Sequence, residues 1–346
     1  MARLRIAVVS LLVIVLVQAG GASAYSWPFK PFDQQHPIRG FFGDPRTVYE
    51  NGILSGGFLS AGTFSFHQGI DISAPDGTPI YPSEDGTAHY VGSATLNIVT
   101  DHAVTFQYFH IVTVVGEGQR VVARRTILGY VQPPFGHVHI SEIDGAKIVN
   151  PLQPGHLTPY RDFTKPVIRD VVIRNQMGDE QAPLGLCGRV ELDVDAFDTP
   201  PVAVPGKFQG LPVVPSLVQW TVTKLGGAVV VPWRTAADFR TTLPSNAHFW
   251  DVYAKGTYQN APRFGPEQYT SMPGRFLFEL AGSYDTTSLA NGVYVLTVLV
   301  GDGHGHKAVD VQRFSVLNAR GGVCPGSLAA PPGIESPPGD EPPVSP

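Results

Sequence analysis

Glycine and proline interrupt this chain too often for long helices to survive. Its 346 residues hold 38 Gly and 32 Pro, and inside a helix these cost about 1 and about 3 kcal/mol each relative to Ala. Between the interruptions lie short apolar or alternating runs, several carrying Val, Ile, Tyr or Phe, with no sustained helical period. From Tyr25 to about Tyr160 they fall at Thr78–Tyr81, Thr87–Val91, Leu96–Thr100, Val104–Val112, Gln119–Val122 and His137–Ile143. A compact antiparallel β domain is predicted over 25–160. Asn150-Pro151-Leu152-Gln153-Pro154-Gly155 reads as its exit. Further strands are predicted at Val167–Arg174, Arg189–Phe197, Leu217–Lys224, Ala228–Val231, Arg275–Leu280, Val293–Val300 and Lys307–Val316. About seven short strands with turn signals between them suggest a β-sandwich over 161–326. The predicted fold class is all-β.

The two ends read differently. Residues 1–24 have the form of a signal peptide: Arg3 and Arg5, an apolar run from Ile6 to Val17, then Ala22-Ser23-Ala24 as a cleavage site. The run is about 12 residues, short of the roughly 20 that span a bilayer, so no stable membrane span is expected after cleavage. Residues 327–346, with Pro331-Pro332, Pro337-Pro338 and Pro342-Pro343, form a Pro-rich tail that cannot bury a core. The expected location is secreted or in the cell envelope. Net charge is −5 and falls further once Arg3 and Arg5 are removed, which argues against nucleic acid as partner. Cys187 and Cys324 are the two cysteines. In an exported chain such a pair invites a disulfide, here stapling the two ends of the second region.

Chemistry concentrates in two short clusters, His67-Gln68-Gly69-Ile70-Asp71 and His137-Val138-His139. Catalytic zinc takes three protein ligands and keeps one open position. On a strand, side chains repeat every two residues, so His137 and His139 would share a face. His67 and Asp71 lie about 13 Å apart if the chain is extended, too far for one ion. The segment must therefore bend, and Gly69 permits it. With 11 His in the chain, about a third of one His-x-His pair is expected by chance, so the pair counts only together with the first cluster. A second pair, His304-Gly305-His306, follows Asp302-Gly303 and reads as a hairpin turn.

These segments resemble the LytM/lysostaphin-type zinc endopeptidases, peptidase family M23, over roughly residues 36–155. His67-Gln-Gly-Ile-Asp71, Tyr108-Phe109-His110-Ile111 and Gly136-His137-Val138-His139-Ile140 match the family pattern in order, after Gly40-Phe41-Phe42-Gly43-Asp44-Pro45-Arg46. The Asp76-Gly77-Thr78-Pro79-Ile80-Tyr81 stretch also matches. The resemblance implies that His67, Asp71 and His139 bind Zn2+, that His110 and His137 are catalytic, and that the substrate is peptide bonds of peptidoglycan. The rival expectation is a non-catalytic module of the same fold that binds wall peptides or activates another hydrolase; a secreted glycyl-peptide or general protein endopeptidase is a third. Asn291–Gly303 resembles the late hairpin of immunoglobulin-like domains appended to secreted bacterial proteins, which implies a protein or wall partner for the second domain.

Two departures stand out. The turn before the His pair, Gly129–Gly136, is short and carries Pro133-Pro134-Phe135, and Ser141 replaces the usual Phe, which reads as a minor change. Asp193, Asp195 and Asp198 alternate along one stretch and read as a solvated strand face, with calcium as the alternative. His102 reads as a turn residue with a supporting role at the site as its alternative, and His36, His89, His156 and His248 are given no role.

Overall fold

The computed structural model describes residues 24–50, 53–56, 64–92, 94–260, 272–318 and 324. The expected signal segment, apart from Ala24, and the Pro-rich tail lie outside these. In the first half the strands are β1 (Ile38–Gly40), β2 (Pro45–Glu50), β3 (Ile53–Gly56), β4 (Ser65–Phe66), β5 (Ile70–Ser73), β6 (Pro79–Ile80), β7 (Gly86–Gly92), β8 (Thr95–Thr100), β9 (Val104–Phe109), β10 (Ile111–Thr113), β11 (Arg120–Val121), β12 (Gly129–Val131), β13 (His137–Asp144) and β14 (Lys147–Val149). The second half adds β15 (Val167–Arg174), β16 (Arg189–Phe197), β17 (Leu217–Lys224), β18 (Val229–Asp238), β19 (Leu277–Asp285), β20 (Gly292–Gly301) and β21 (Lys307–Val316), with one short α-helix among the described residues, α1 (Phe249–Val252). The chain is all-β, as its punctuation predicts.

The largest sheet runs β1-β5-β13-β9-β8-β7-β11, with β14 on β13, and its pairings are antiparallel. Alternation explains how it packs. In β8, Leu96, Ile98 and Thr100 turn inward while their neighbours are half-buried. Central β13 is covered on both faces: Val138 and Ile140 enter the apolar core, while His137, His139 and Ser141 occupy the other side. The expected strand Val104–Val112 is broken at His110, which has φ +61°. Its chain then leaves the large sheet for a small one, β10-β12-β6.

In the second half, β15-β16-β19 and β18-β17-β20-β21 form two antiparallel sheets. Strand β18 outruns its expected end and passes through Pro232. It is an edge strand, where the missing N–H costs no ladder bond. Cys187 and Cys324 form a disulfide, with Cα atoms 5.4 Å apart. Asp193 and Asp195 are neither solvated nor free to hold calcium. Both are buried; Asp193 is bonded to Arg174, and Asp195 lies 3.1 Å from both Arg169 and Arg275. Asp198 lies beyond the strand end and accepts the Thr199 N–H at 2.7 Å.

One apolar cluster runs through both halves. Where they meet, Phe66 packs with Phe239, Phe249 and Tyr253, ring centroids 5.6, 5.3 and 5.8 Å away. Tyr253 donates to Gly43 O at 2.7 Å, and Val214 N–H donates to Asp44 Oδ1 at 2.9 Å. Asn150, in the expected exit segment, donates through its side chain to Phe239 O at 2.9 Å. Phe66 immediately precedes His67, so this junction lies directly behind the first histidine of the site.

Candidate metal centre

Three strands bring the expected residues together. Register pairs His139 with Asp71 across β13–β5 and with Phe109 across β13–β9, and directly opposed residues have Cβ atoms about 5 Å apart. His67 arrives from the segment between β4 and β5. There the chain bends at Gly69, as the spacing requires. The need for glycine is close approach: a Cβ there would lie 2.2 Å from Ile140 O and 2.7 Å from His139 Nε2. His67 is pinned by its backbone, its N–H donating to Asp44 O at 2.8 Å and its carbonyl accepting from Gly43 N at 2.9 Å.

The donor atoms converge closely. His67 Nε2 is 2.8 Å from His139 Nδ1 and 3.1 Å from Asp71 Oδ1, which is 3.0 Å from His139 Nδ1. A tetrahedral ion about 2.0–2.1 Å from each ligand would set them about 3.3 Å apart, so the spacing suits one small cation. The outward hydrogen bonds suit it too. His67 Nδ1–H donates to Phe41 O at 2.8 Å, and His139 Nε2 meets Ser141 Oγ at 2.9 Å. Each contact can take the ring's one proton and leave the inward nitrogen bare. Burial, followed by the charge of Arg46, pushes His67 down to about 3, so its imidazole is neutral near pH 7. Burial by itself would raise Asp71. The neighbouring His67 ring and the Arg46 guanidinium outweigh it and hold the carboxyl well below its usual range. Of these, Arg46 is the lasting charge, 2.7 Å from Oδ2. Two bare nitrogens and an anionic oxygen thus face one another, an arrangement that a divalent cation would neutralise.

His137 and His110 border this group. His137 Nε2 is 3.6 Å from Asp71 Oδ1, and the His110 ring lies 4.5 Å from that of His137. Burial pushes both down, His137 to about 3 and His110 to about 4. The positive φ of His110, rare for a non-Gly residue and costing about 1–3 kcal/mol, turns its ring onto Phe135, 4.1 Å away and nearly parallel. Phe135 belongs to the short Pro-Pro turn. The sequence reading therefore placed all five polar residues in one locality.

It missed their supports. Ser141 sits two residues from His139 on the same face of β13 and meets its ring, so the change from Phe is not minor. Period two was the available signal. Arg46 ends the Gly40–Arg46 motif, but its hold on Asp71 depends on a contact between β2 and β5 that spacing does not reveal. Arg39 Nη2 lies 2.7 Å from His137 Nδ1, with no motif to announce it. Glu142 points away from the site and is structural, bonded to Tyr25 OH at 2.6 Å and to His156 Nδ1 at 2.9 Å. His102 pairs with Glu84 at 3.1 Å and lines a separate cavity of about 350 Å3 with Tyr25, Ser83 and Arg124, so it supports no part of the cluster.

No protein-family model and no curated protein matches the chain. Among solved structures it is similar to a mutant catalytic domain of the prophage-encoded M23 protein EnpA from Enterococcus faecalis, with 27% identity over 29% of this chain and 83% of that one and a TM-score of 0.24. The M23 metalloprotease pseudoalterin, from the deep sea, is 15% identical over 45% of this chain and 85% of its own, TM-score 0.26. The SpoIIQ–SpoIIIAH pore-forming complex gives 16% identity over 38% and 90%, TM-score 0.30. The chain's structural neighbours thus include M23 peptidase domains, matched at low identity and low coverage.

Proposed function

We propose that the chain is an exported zinc metalloendopeptidase that hydrolyses peptide bonds of cell-wall peptidoglycan. One observation carries the hydrolase reading: three donor atoms stand within 3.1 Å of one another while the bonds that fix their rings run outward. The wall substrate rests on the sequence resemblance. His67, Asp71 and His139 would hold the ion, and when bound it supplies an acidified water and polarises the scissile carbonyl. Arg46 keeps Asp71 Oδ2 occupied and so turns Oδ1 to the ion. His137, whose Nε2 faces the ligand oxygen, is placed to accept the proton of the attacking water and return it to the departing amine. His110 is placed to donate to the charge that develops on the carbonyl oxygen. Both imidazoles are neutral near pH 7, so each can take or give one proton there.

In the same reading, residues 25–160 are the peptidase domain, and 161–326 an immunoglobulin-like domain whose partner is a protein or the wall. The rival, a non-catalytic wall-binding module, is favoured by one observation, the Phe135 ring stacked on His110, which covers one face of a proposed catalytic group. Purified sacculi separate the two. The zinc-loaded mature chain should release new amino termini, and His139→Ala should release at least a hundredfold fewer. Equal release by both proteins, or no release by either, would sink the enzyme reading.

A further inference from the structure

Two arginines reach this site, and among the described residues only one of them touches a carboxylate. Arg46 is 2.7 Å from Asp71. Arg39, the middle residue of β1, has no Asp or Glu oxygen within 4.0 Å among the described residues. Its guanidinium is nonetheless fixed. Nη1 donates to Phe135 O at 3.2 Å, Nη2 lies 2.7 Å from His137 Nδ1, and the plane rests on the Phe208 ring, 4.1 Å from its centroid. A guanidinium offers five N–H groups. One of these goes to Phe135 O, and Nε is out of water with no acceptor. An unpaired buried donor costs about 1–3 kcal/mol, and the carboxylate charge that acts on Arg39, that of Asp71 beyond His137, is already in direct contact with Arg46.

The position of this cation is specific. One imidazole, His137, separates it from the proposed ligands, a distance that about two residues of extended peptide would span. A preset fork with unspent donors is matched by a planar anion bound through two parallel hydrogen bonds. Phe208, in the turn Gly206–Phe208, supplies the wall against which the fork stays flat.

We propose that Arg39 is a specificity residue beside the candidate metal centre and binds a substrate carboxylate about two residues from the scissile bond. The inference rests on the peptidase reading above. Such a carboxylate is either a free C-terminus or an acidic side chain, and the shared chemistry is a planar oxyanion. Phe208 brings the second half of the chain against Arg39, and that half then contributes to substrate choice.

Four peptides of one sequence test this: free or amidated at the C-terminus, each with Glu or Gln two residues from the bond. The zinc-loaded protein should cleave one carboxylate form at least tenfold faster in kcat/KM than its amide, and the pair that shows the preference identifies the source. In Arg39→Met the ratio should fall to about one, and Arg39→Lys, which keeps the charge without the fork, should retain part of it. The same peptides are titrated against metal-free protein, where no turnover intervenes, and Arg39→Met should there lose a preference of similar size. Equal rates and equal binding of acid and amide by the wild-type protein, or a preference unchanged in Arg39→Met, would overturn the proposal. Intact binding preference with no cleavage of any peptide would leave Arg39 as a carboxylate-binding residue and remove the peptidase reading instead.

Discussion

The chain carries two His-x-His pairs, and each stands beside aspartates close enough to share an ion. The donor atoms of His67, Asp71 and His139 lie within 4.8 Å of one another, and so do those of Asp162, Asp302 and His306. The direction of the hydrogen bonds separates them. In the first group the fixed bonds point outward, to Phe41 O, Ser141 Oγ and Arg46, and the inward atoms keep their lone pairs. In the second the bonds run inward. Asp302 Oδ1 accepts the N–H groups of His304 and His306, and Oδ2 lies 2.6 Å from His306 Nδ1. Asp162 Oδ1 accepts both the N–H and the hydroxyl of Thr164, and His304 turns away to Leu152 O at 2.8 Å. Protonation differs in the same sense. His67 is pushed down to about 3, whereas the bond to Asp302 raises His306 above its ordinary value. The first group offers electron pairs to a cation; the second already holds a proton there. Proximity of ligand types is therefore a weaker sign of a metal centre than the direction of the bonds that orient them.

The comparison breaks most readily at the metal itself. Metal analysis should find one zinc per chain, lost in His67→Ala or Asp71→Ala and retained in His306→Ala; loss from the last would equate the two groups. Next, His137→Ala should lower peptide hydrolysis about 10²–10⁴-fold with zinc content intact, and an unchanged rate would remove His137 from the chemistry. Ser141→Ala should weaken zinc affinity about 10–100-fold, the usual effect of losing a partner that orients a ligand, and a competition titration against a chelator measures it. Asp302→Ala strands two backbone donors and should cost about 1–3 kcal/mol of stability, read by denaturant melts, with no change in zinc.

The smallest effect is a pH dependence. The raised His306 stabilises the fold fully below its unfolded pKa of about 6.5, and this contribution fades as pH rises through the raised folded value. His306→Ala should therefore lose more stability at pH 5.5 than at pH 9. Equal losses would show that the imidazole is neutral in the fold, as His67 is.

The sequence disclosed most where structure is local. Val167–Arg174, Arg189–Phe197, Leu217–Lys224 and Lys307–Val316 appear with the expected bounds, because turn residues frame each run. The shared face of His137 and His139 followed from period two, and the bend at Gly69 from chain length alone. Non-local contacts were hidden. Strand β1 is three residues long and exists because β5 pairs with it, so Arg39 has no local signature. The bond that breaks β9 from β10 is the positive φ of His110, set by the sheet change and not by neighbouring residues. The buried Asp193 and Asp195 looked like a solvated face because the arginines that meet them lie on β15 and before β19.

Gly43 has φ +94°, and a Cβ there would fall 2.5 Å from the Phe239 ring. That contact belongs to the junction where Tyr253 and Val214 also grip the Gly43–Asp44 turn, and Gly43 and Asp44 in turn grip His67. The second half is thus not a cassette to be exchanged or deleted at will. A fragment ending near Tyr160 would bare Phe66 to water and release the turn that pins the first histidine. Any lineage or engineer recombining the first half with another partner must carry Phe239 and Tyr253 along, or rebuild a floor beneath His67.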